Sequence, residues 1–255
     1  MPAVAQWHKF VLYYLWIAPH VLLAAVPVLM FARRLHKNFP VFFVYAIYET
    51  FGFALRFFAY VSSPAPKTLY RQVFIATLVG SIALRFGVIQ ELFQAIFRDY
   101  PRLEMLAVAS RRWLTGVLVL AGVWSALYFA GPRPDDLMSG IALFDRSVAI
   151  IQVGLLFFLF LFSRWFGLSW RSHVFGIALG FAIFATTELA AWAIRLADLS
   201  ESAKNWLDLL PTGSYHVSVL LWLGYLLAAE KPLPAMPSAA PDLDQWRGEL
   251  ERYPQ

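Results

Sequence analysis

The chain has 255 residues, 60% of them hydrophobic and 17% aromatic against only 15% charged, with a mean hydropathy of +0.61. A soluble domain carries about 25% charged residues to keep its surface solvated, so much of this exterior must meet an apolar solvent. The absence of cysteine excludes disulfides, thiolate metal sites and cysteine nucleophiles, and the +5 formal charge is spread through loops in a way that marks membrane topology, not nucleic acid.

A helix crosses the hydrocarbon core with about 20 apolar residues. The first such run covers roughly 10–32. It is too long for the apolar region of a signal peptide, and its basic cluster, Arg33, Arg34 and Lys37, follows the run instead of preceding it. It therefore reads as a retained span. Pro19 and Pro27 lie inside it, with His20 beside the first; proline frees a carbonyl and kinks a spanning helix.

Pro40 introduces the second run, 41–61, which carries Glu49 and Arg56 and ends at Ser62-Ser63-Pro64-Ala65-Pro66. The third, 71–97, holds Arg85 and a polar stripe of Gln90, Glu91, Gln94 and Arg98, with Pro101 beyond it. The fourth, 113–130, stops at Gly131-Pro132-Arg133-Pro134, and the fifth covers 144–163. The sixth, 173–195, contains Glu188, and Ser172, Gly176 and Gly180 form a small-residue stripe that lets two helix backbones approach. Pro211 opens the seventh, 212–229. The expected fold is all-α, a polytopic membrane helix bundle of about seven transmembrane helices over 1–230. From 231 to 255 the chain reads as a cytoplasmic tail. Pro232, Pro234, Pro237 and Pro241 make an extended linker, and Leu243, Trp246 and Leu250 share one face of a short amphipathic helix.

Loop charges set the orientation. One side carries Arg33, Arg34, Lys37, Arg98, Arg102, Arg111, Arg112, Arg164, Arg171, Lys231, Arg247 and Arg252. The other carries Lys9, Lys67, Arg71, Arg133, Arg146, Arg195 and Lys204, and its long loops add Asp135, Asp136, Asp198, Glu201 and Asp208. The more basic side is expected in the cytoplasm, in contact with anionic headgroups, with the N-terminus outside and the C-terminus inside. Tyr13, Tyr14, Trp16, Tyr60, Tyr70, Trp113, Tyr128, Trp165, Trp170, Trp192 and Trp206 lie near span ends, where an aromatic belt explains them without a ligand.

The ionisable residues inside spans are the candidate site: Glu49, Arg56, Arg85, Glu91 and Glu188, with His20. A charge at mid-bilayer costs about 2.5–3.5 kcal/mol on insertion scales, so each needs a partner, water or a function. At a rise of about 1.5 Å per residue, Glu49 and Glu91 lie roughly 10 Å from the inner end, Arg85 about 18 Å, and Arg56 and Glu188 about 22 Å. Glu49 and Arg56 share a helix face, and Arg85 and Glu188 are at pairing depth if the third and sixth spans meet. Two readings stand: structural pairs that lock helix packing, or the lining of a binding cavity or proton-coupled path. Arg56 can also snorkel to the outer headgroups. His20, like His173 and His216, has the alternative of a hydrogen-bonded packing residue.

Several chemistries lack their residues. The seventh run has no lysine for a retinal Schiff base. There is no H-E-x-x-H, no G-x-S-x-G and no Walker A sequence, and Asp135-Asp136 has no second cluster to complete a Mg²⁺ site. Phe97-Arg98-Asp99-Tyr100 has the composition of the receptor D-R-Y signature in the wrong order. No catalytic or metal-binding residue is therefore expected, and the sequence names no cofactor.

The stretch Leu143-Phe144-Asp145-Arg146-Ser147 to Gln152, then Phe160-Leu161-Phe162-Ser163, Gly167-Leu168-Ser169-Trp170-Arg171 and Val174-Phe175-Gly176-Ile177-Ala178-Leu179-Gly180 resembles an uncharacterised family of small bacterial seven-span integral membrane proteins. The resemblance is best over 143–182. It implies seven spans and a bacterial inner membrane, and carries over no functional residue. The layout is also similar in topology to the seven-helix sensor modules of bacterial histidine kinases, a likeness of fold alone. The leading expectation is a sensory or small-ligand-binding module embedded in the lipid bilayer and acting through a cytoplasmic protein partner. A proton-linked transporter, a membrane-complex subunit and an intramembrane lipid-acting enzyme are the alternatives. A sensor should have a cavity reached from outside or from lipid, and a carrier a path from both sides.

Overall fold

The computed structural model describes residues 2–61, 67–97, most of 145–161, 170–195, 207 and 209–228. Among these residues the secondary structure is entirely helical. The helices are α1 (Pro2–Leu23), α2 (Ala25–Ala32), α3 (Pro40–Val61), α4 (Lys67–Phe97), α5 (His173–Arg195) and α6 (Leu209–Leu227), and the described part of 145–161 is helical as well.

Proline explains the first break. Pro27 has no N–H to offer the Leu23 carbonyl, and its ring crowds that carbonyl, so the helix yields between Leu23 and Ala25. Pro19 is absorbed within α1. After α2 the chain turns through Arg34, which has a left-handed φ of 59°, and a short 3₁₀ turn, Leu35–Lys37. Pro40 then occupies the first position of α3, where a missing N–H costs nothing.

Close approach at small residues sets the packing. α3 and α4 run antiparallel, with Val41 against Gly87, Tyr48 against Gly80 and Thr77 against Gly52; the Tyr48 hydroxyl donates to the Ala76 carbonyl at 3.0 Å. A Cβ on Gly80 would collide with the Tyr48 ring. α5 and α6 form a second antiparallel pair through the expected small-residue stripe. Gly176 lies under Tyr225 and Gly180 under Trp222, whose Nε1 donates to the Ile177 carbonyl at 3.1 Å. Ser172 caps the pair's first helix, its Oγ accepting from the Phe175 N–H at 3.2 Å.

The first span runs parallel to α6. His20 and Tyr215 meet near one end, their ring centroids 5.4 Å apart, and Arg33 donates to the Ala228 carbonyl at 3.2 Å at the other. Contacts of α1 with α3 and of α4 with α5 close the ring of helices. Its centre is aromatic: Phe42, Tyr45, Phe181 and Trp222 are fully buried, with Phe181–Trp222 and Phe42–Trp222 centroids at 4.9 and 5.3 Å.

The exterior is as apolar as the interior. Phe10, Val28, Phe31, Phe51, Phe58, Phe157 and Leu161 are all exposed. Among the described residues, four helices are long and apolar enough to cross a membrane: Phe10–Ala32, Pro40–Val61, Leu69–Ile96 and His173–Arg195. These match the first, second, third and sixth expected spans to within a few residues. The chain is thus an all-helical, membrane-embedded protein. The seventh expected span forms as α6 but is not one of the four. Thr212, Ser214, Tyr215, His216 and Ser218 make it less apolar, and Ser214, Tyr215 and Ser218 are buried against its neighbours, not turned outward. The expected fourth span, 113–130, and the tail, 231–255, lie outside the described residues, and the fifth, 144–163, is described only in part.

Candidate functional site

Call the near end of the bundle the one where α3 and α5 finish and α4 and α6 begin. A cavity of about 260 Å³ lies toward it, lined by His20, Tyr45, Glu49, Arg56, Leu78, Ser81, Arg85, Asp145, Phe184, Glu188, Pro211, Thr212 and Tyr215. Every described spanning helix from α1 to α6 except α2 contributes, as does the start of 145–161. Five of the six residues singled out from the sequence are here: His20, Glu49, Arg56, Arg85 and Glu188.

The charges form two linked sets. Glu49 and Arg56, two turns apart on α3, pair at 3.6 Å, and the Ser81 hydroxyl of α4 donates to Glu49. Arg85 of α4 pairs with Asp145 at 2.7 Å and with Glu188 of α5 at 3.5 Å, which joins three helical segments at one guanidinium. Arg85 is only 5% exposed, whereas the Glu188 side chain is 31% exposed. Arg85 and Tyr45 therefore form the deep part of the cavity, and Glu188 stands at its mouth. The Arg85 guanidinium also faces the Phe184 ring, 5.7 Å from its centroid.

His20 is held by its own helix. Its Nδ1 lies 2.9 Å from the Trp16 carbonyl, and the ring stacks on Phe53 with centroids 4.1 Å apart. A carbonyl only accepts, so Nδ1 carries the proton and Nε2 is the ring's acceptor.

The Arg85 Nε is buried with no hydrogen-bond partner among the described residues, and Glu188 Oε2 meets only the Arg85 guanidinium, at 3.5 Å. The Tyr215 hydroxyl lies beside that of Tyr45, and Tyr215 as a whole is 9% exposed. Buried polar atoms are nearly always satisfied, so the Nε leaves room for a further acceptor.

Glu91 does not join this site. It lies toward the far end, where its two carboxylate oxygens accept from the backbone N–H groups of Val41, at 2.7 Å, and Phe42, at 2.9 Å. These are orphan donors in the first turn of α3, and a carboxylate also complements the helix dipole there. Glu91 is a helix cap supplied by a neighbouring helix.

Asp145, Tyr45, Ser81, Thr212 and Tyr215 belong to the cavity and were not singled out as site residues from the sequence. Asp145 alone carried a signal, as an acid at the start of an apolar run. Two further cavities among the described residues, each about 500 Å³, are lateral notches with mainly apolar walls, one lined by Trp170, Val217, Leu221, Gly224 and Tyr225, the other by Tyr48, Phe51, Gly52, Leu55 and Val73. Among the described residues, no group of three His, Asp or Glu is placed to hold a metal ion. The chain matches no protein-family model, no curated protein and no solved structure, so the resemblance carried by 143–182 gains no support from comparison.

Proposed function

We propose that this is a seven-span protein of a bacterial inner membrane, with its N-terminus outside, that binds a small molecule in the near-end cavity and acts through a protein partner on the cytoplasmic side. The observation that carries the binding reading is the convergence of charges from several helices on one cavity with polar and aromatic walls. Binding sites combine apolar walls with a few convergent polar groups, and drug-sized ligands occupy about 300–1,000 Å³. At about 260 Å³ this cavity suits a smaller molecule.

The span count rests on direction. α4 finishes at the far end at Phe97, and Asp145 stands beside Arg85 toward the near end. Phe160 then meets Phe175, at the far end of α5, with centroids 5.2 Å apart. A first span parallel to α6 fits an odd number of crossings. The loop-charge asymmetry supports a cytoplasmic far end, where Arg33, Arg34, Lys37 and Arg171 gather. The aromatic cluster of Phe42, Tyr45, Phe181 and Trp222 fills the bundle beyond the cavity, which favours a one-sided pocket over a carrier path.

The test is ligand-induced thermal stabilisation of the purified full chain in detergent, screened with small amines, acids and alcohols. A compound that binds in the cavity stabilises the wild type and the Gly224→Ala variant alike and loses its effect in Tyr215→Phe. Gly224 faces open space away from the cavity. If no compound stabilises the protein, or if Tyr215→Phe leaves every stabilisation unchanged, the binding reading fails.

A further inference from the structure

We propose that the molecule taken by this cavity is a small organic monocation, an ammonium group on a short aromatic or apolar body. The inference rests on the binding reading above and deepens it. The described lining carries three carboxylates, Glu49, Asp145 and Glu188, and two guanidiniums, Arg56 and Arg85. Glu49 is matched by Arg56, but Arg85 serves both Asp145 and Glu188. Arg146, next in the chain to Asp145, turns onto the Trp192 ring at 4.7 Å and does not line the cavity. Among the described residues, one carboxylate is left without a cation of its own.

Geometry says which carboxylate that is. Asp145 takes the short contact with Arg85, 2.7 Å, whereas Glu188 shares the same guanidinium through its Oε2 at the longer distance of 3.5 Å. The Tyr215 hydroxyl, beside that of Tyr45 on a side chain more than nine-tenths buried, is a second oxygen on the cavity wall. Phe184 lies between the two: it is one turn from Glu188 on α5, and its ring packs edge-on to Tyr215 with centroids 5.4 Å apart. An ammonium among these groups meets a carboxylate oxygen, a phenol oxygen and aromatic faces, a combination that suits cations.

Other ligand classes fit worse. An anion would meet three carboxylates, with both guanidiniums already engaged. A bare metal ion finds no group of three ligands among the described residues. A neutral molecule brings no charge to match the third carboxylate.

The experiment compares three probes of one shape on the purified full chain in detergent: phenethylamine, phenethyl alcohol and phenylpropanoate. Saturable thermal stabilisation at millimolar concentration is expected from phenethylamine above the other two. Glu188→Gln should weaken its apparent affinity by about tenfold or more, the scale of one lost charge-assisted contact. That variant keeps the Arg85–Asp145 pair, so it should fold. Tyr215→Phe, which removes one oxygen, is the second variant and should weaken the amine as well. If phenylpropanoate or the alcohol stabilises as well as the amine, or if Glu188→Gln leaves the amine's affinity unchanged, the cation assignment is overturned while the binding site stands. If none of the three probes stabilises the wild type, the cation assignment falls, and the broader screen decides separately whether the cavity binds anything.

Discussion

At the scale of single residues, the charged groups inside the bundle divide into two kinds, those of the cavity and Glu91. Arg85 is the keystone, because Asp145 and Glu188 from two other segments both depend on it. Removing one member of a buried ion pair strands its partner, at a cost of about 3–5 kcal/mol. Arg85→Ala should therefore lower the melting temperature sharply in detergent, more than Glu188→Gln does. Glu91 works differently, since its two bonds satisfy the start of α3. Glu91→Gln loses the charge and one good acceptor and should cost about 1–3 kcal/mol, while ligand-induced stabilisation of the folded fraction persists. These residues were legible as unusual because a charge inside an apolar run is conspicuous, and counting the helical rise placed Arg85 level with Glu188. Their division of labour was not legible. Whether Glu91 faces a cavity or a helix start depends on where Pro40 and Val41 of another helix come to rest. Tyr45, Ser81 and Tyr215 gave no signal at all, because a tyrosine or serine in a span is unremarkable until its neighbours are known.

At the scale of helices, two glycine-lined seams hold the bundle, α3 against α4 and α5 against α6. On α5, Gly180 lies directly under the Trp222 indole. Gly180→Ala should push that indole off its bond to Ile177 and cost about 1–3 kcal/mol, typical of overpacking. In Gly224→Ala the new methyl meets open space, so stability should shift by no more than about 1 kcal/mol, toward stabilisation by helix propensity. Melting temperatures of the two variants, measured side by side, check the seam. The Ser172, Gly176, Gly180 stripe announced this contact in the sequence, as the proline at position 27 announced a kink. The partner helix was not announced. α6 falls outside the four apolar spans, and its serines and tyrosines serve α5 and the cavity, so span apolarity alone understates how firmly it is held.

At the scale of the whole molecule, the chain is a membrane-embedded bundle whose charged cavity lies toward one end, with aromatic packing toward the other. The run lengths and exposed phenylalanines carry the membrane assignment; the side on which the mouth opens rests on loop charges. A chain without cysteine permits a clean test by single introduced thiols. Thr212→Cys places one at the cavity mouth and Asn38→Cys one on the exposed turn before α3, at the far end. In sealed right-side-out vesicles, a membrane-impermeant maleimide should label Thr212→Cys at once, more slowly with phenethylamine present, and should reach Asn38→Cys only after permeabilisation. Labelling of Asn38→Cys but not Thr212→Cys in sealed vesicles would contradict the orientation. Equal labelling of both without permeabilisation would contradict a bundle that separates two sides of a membrane.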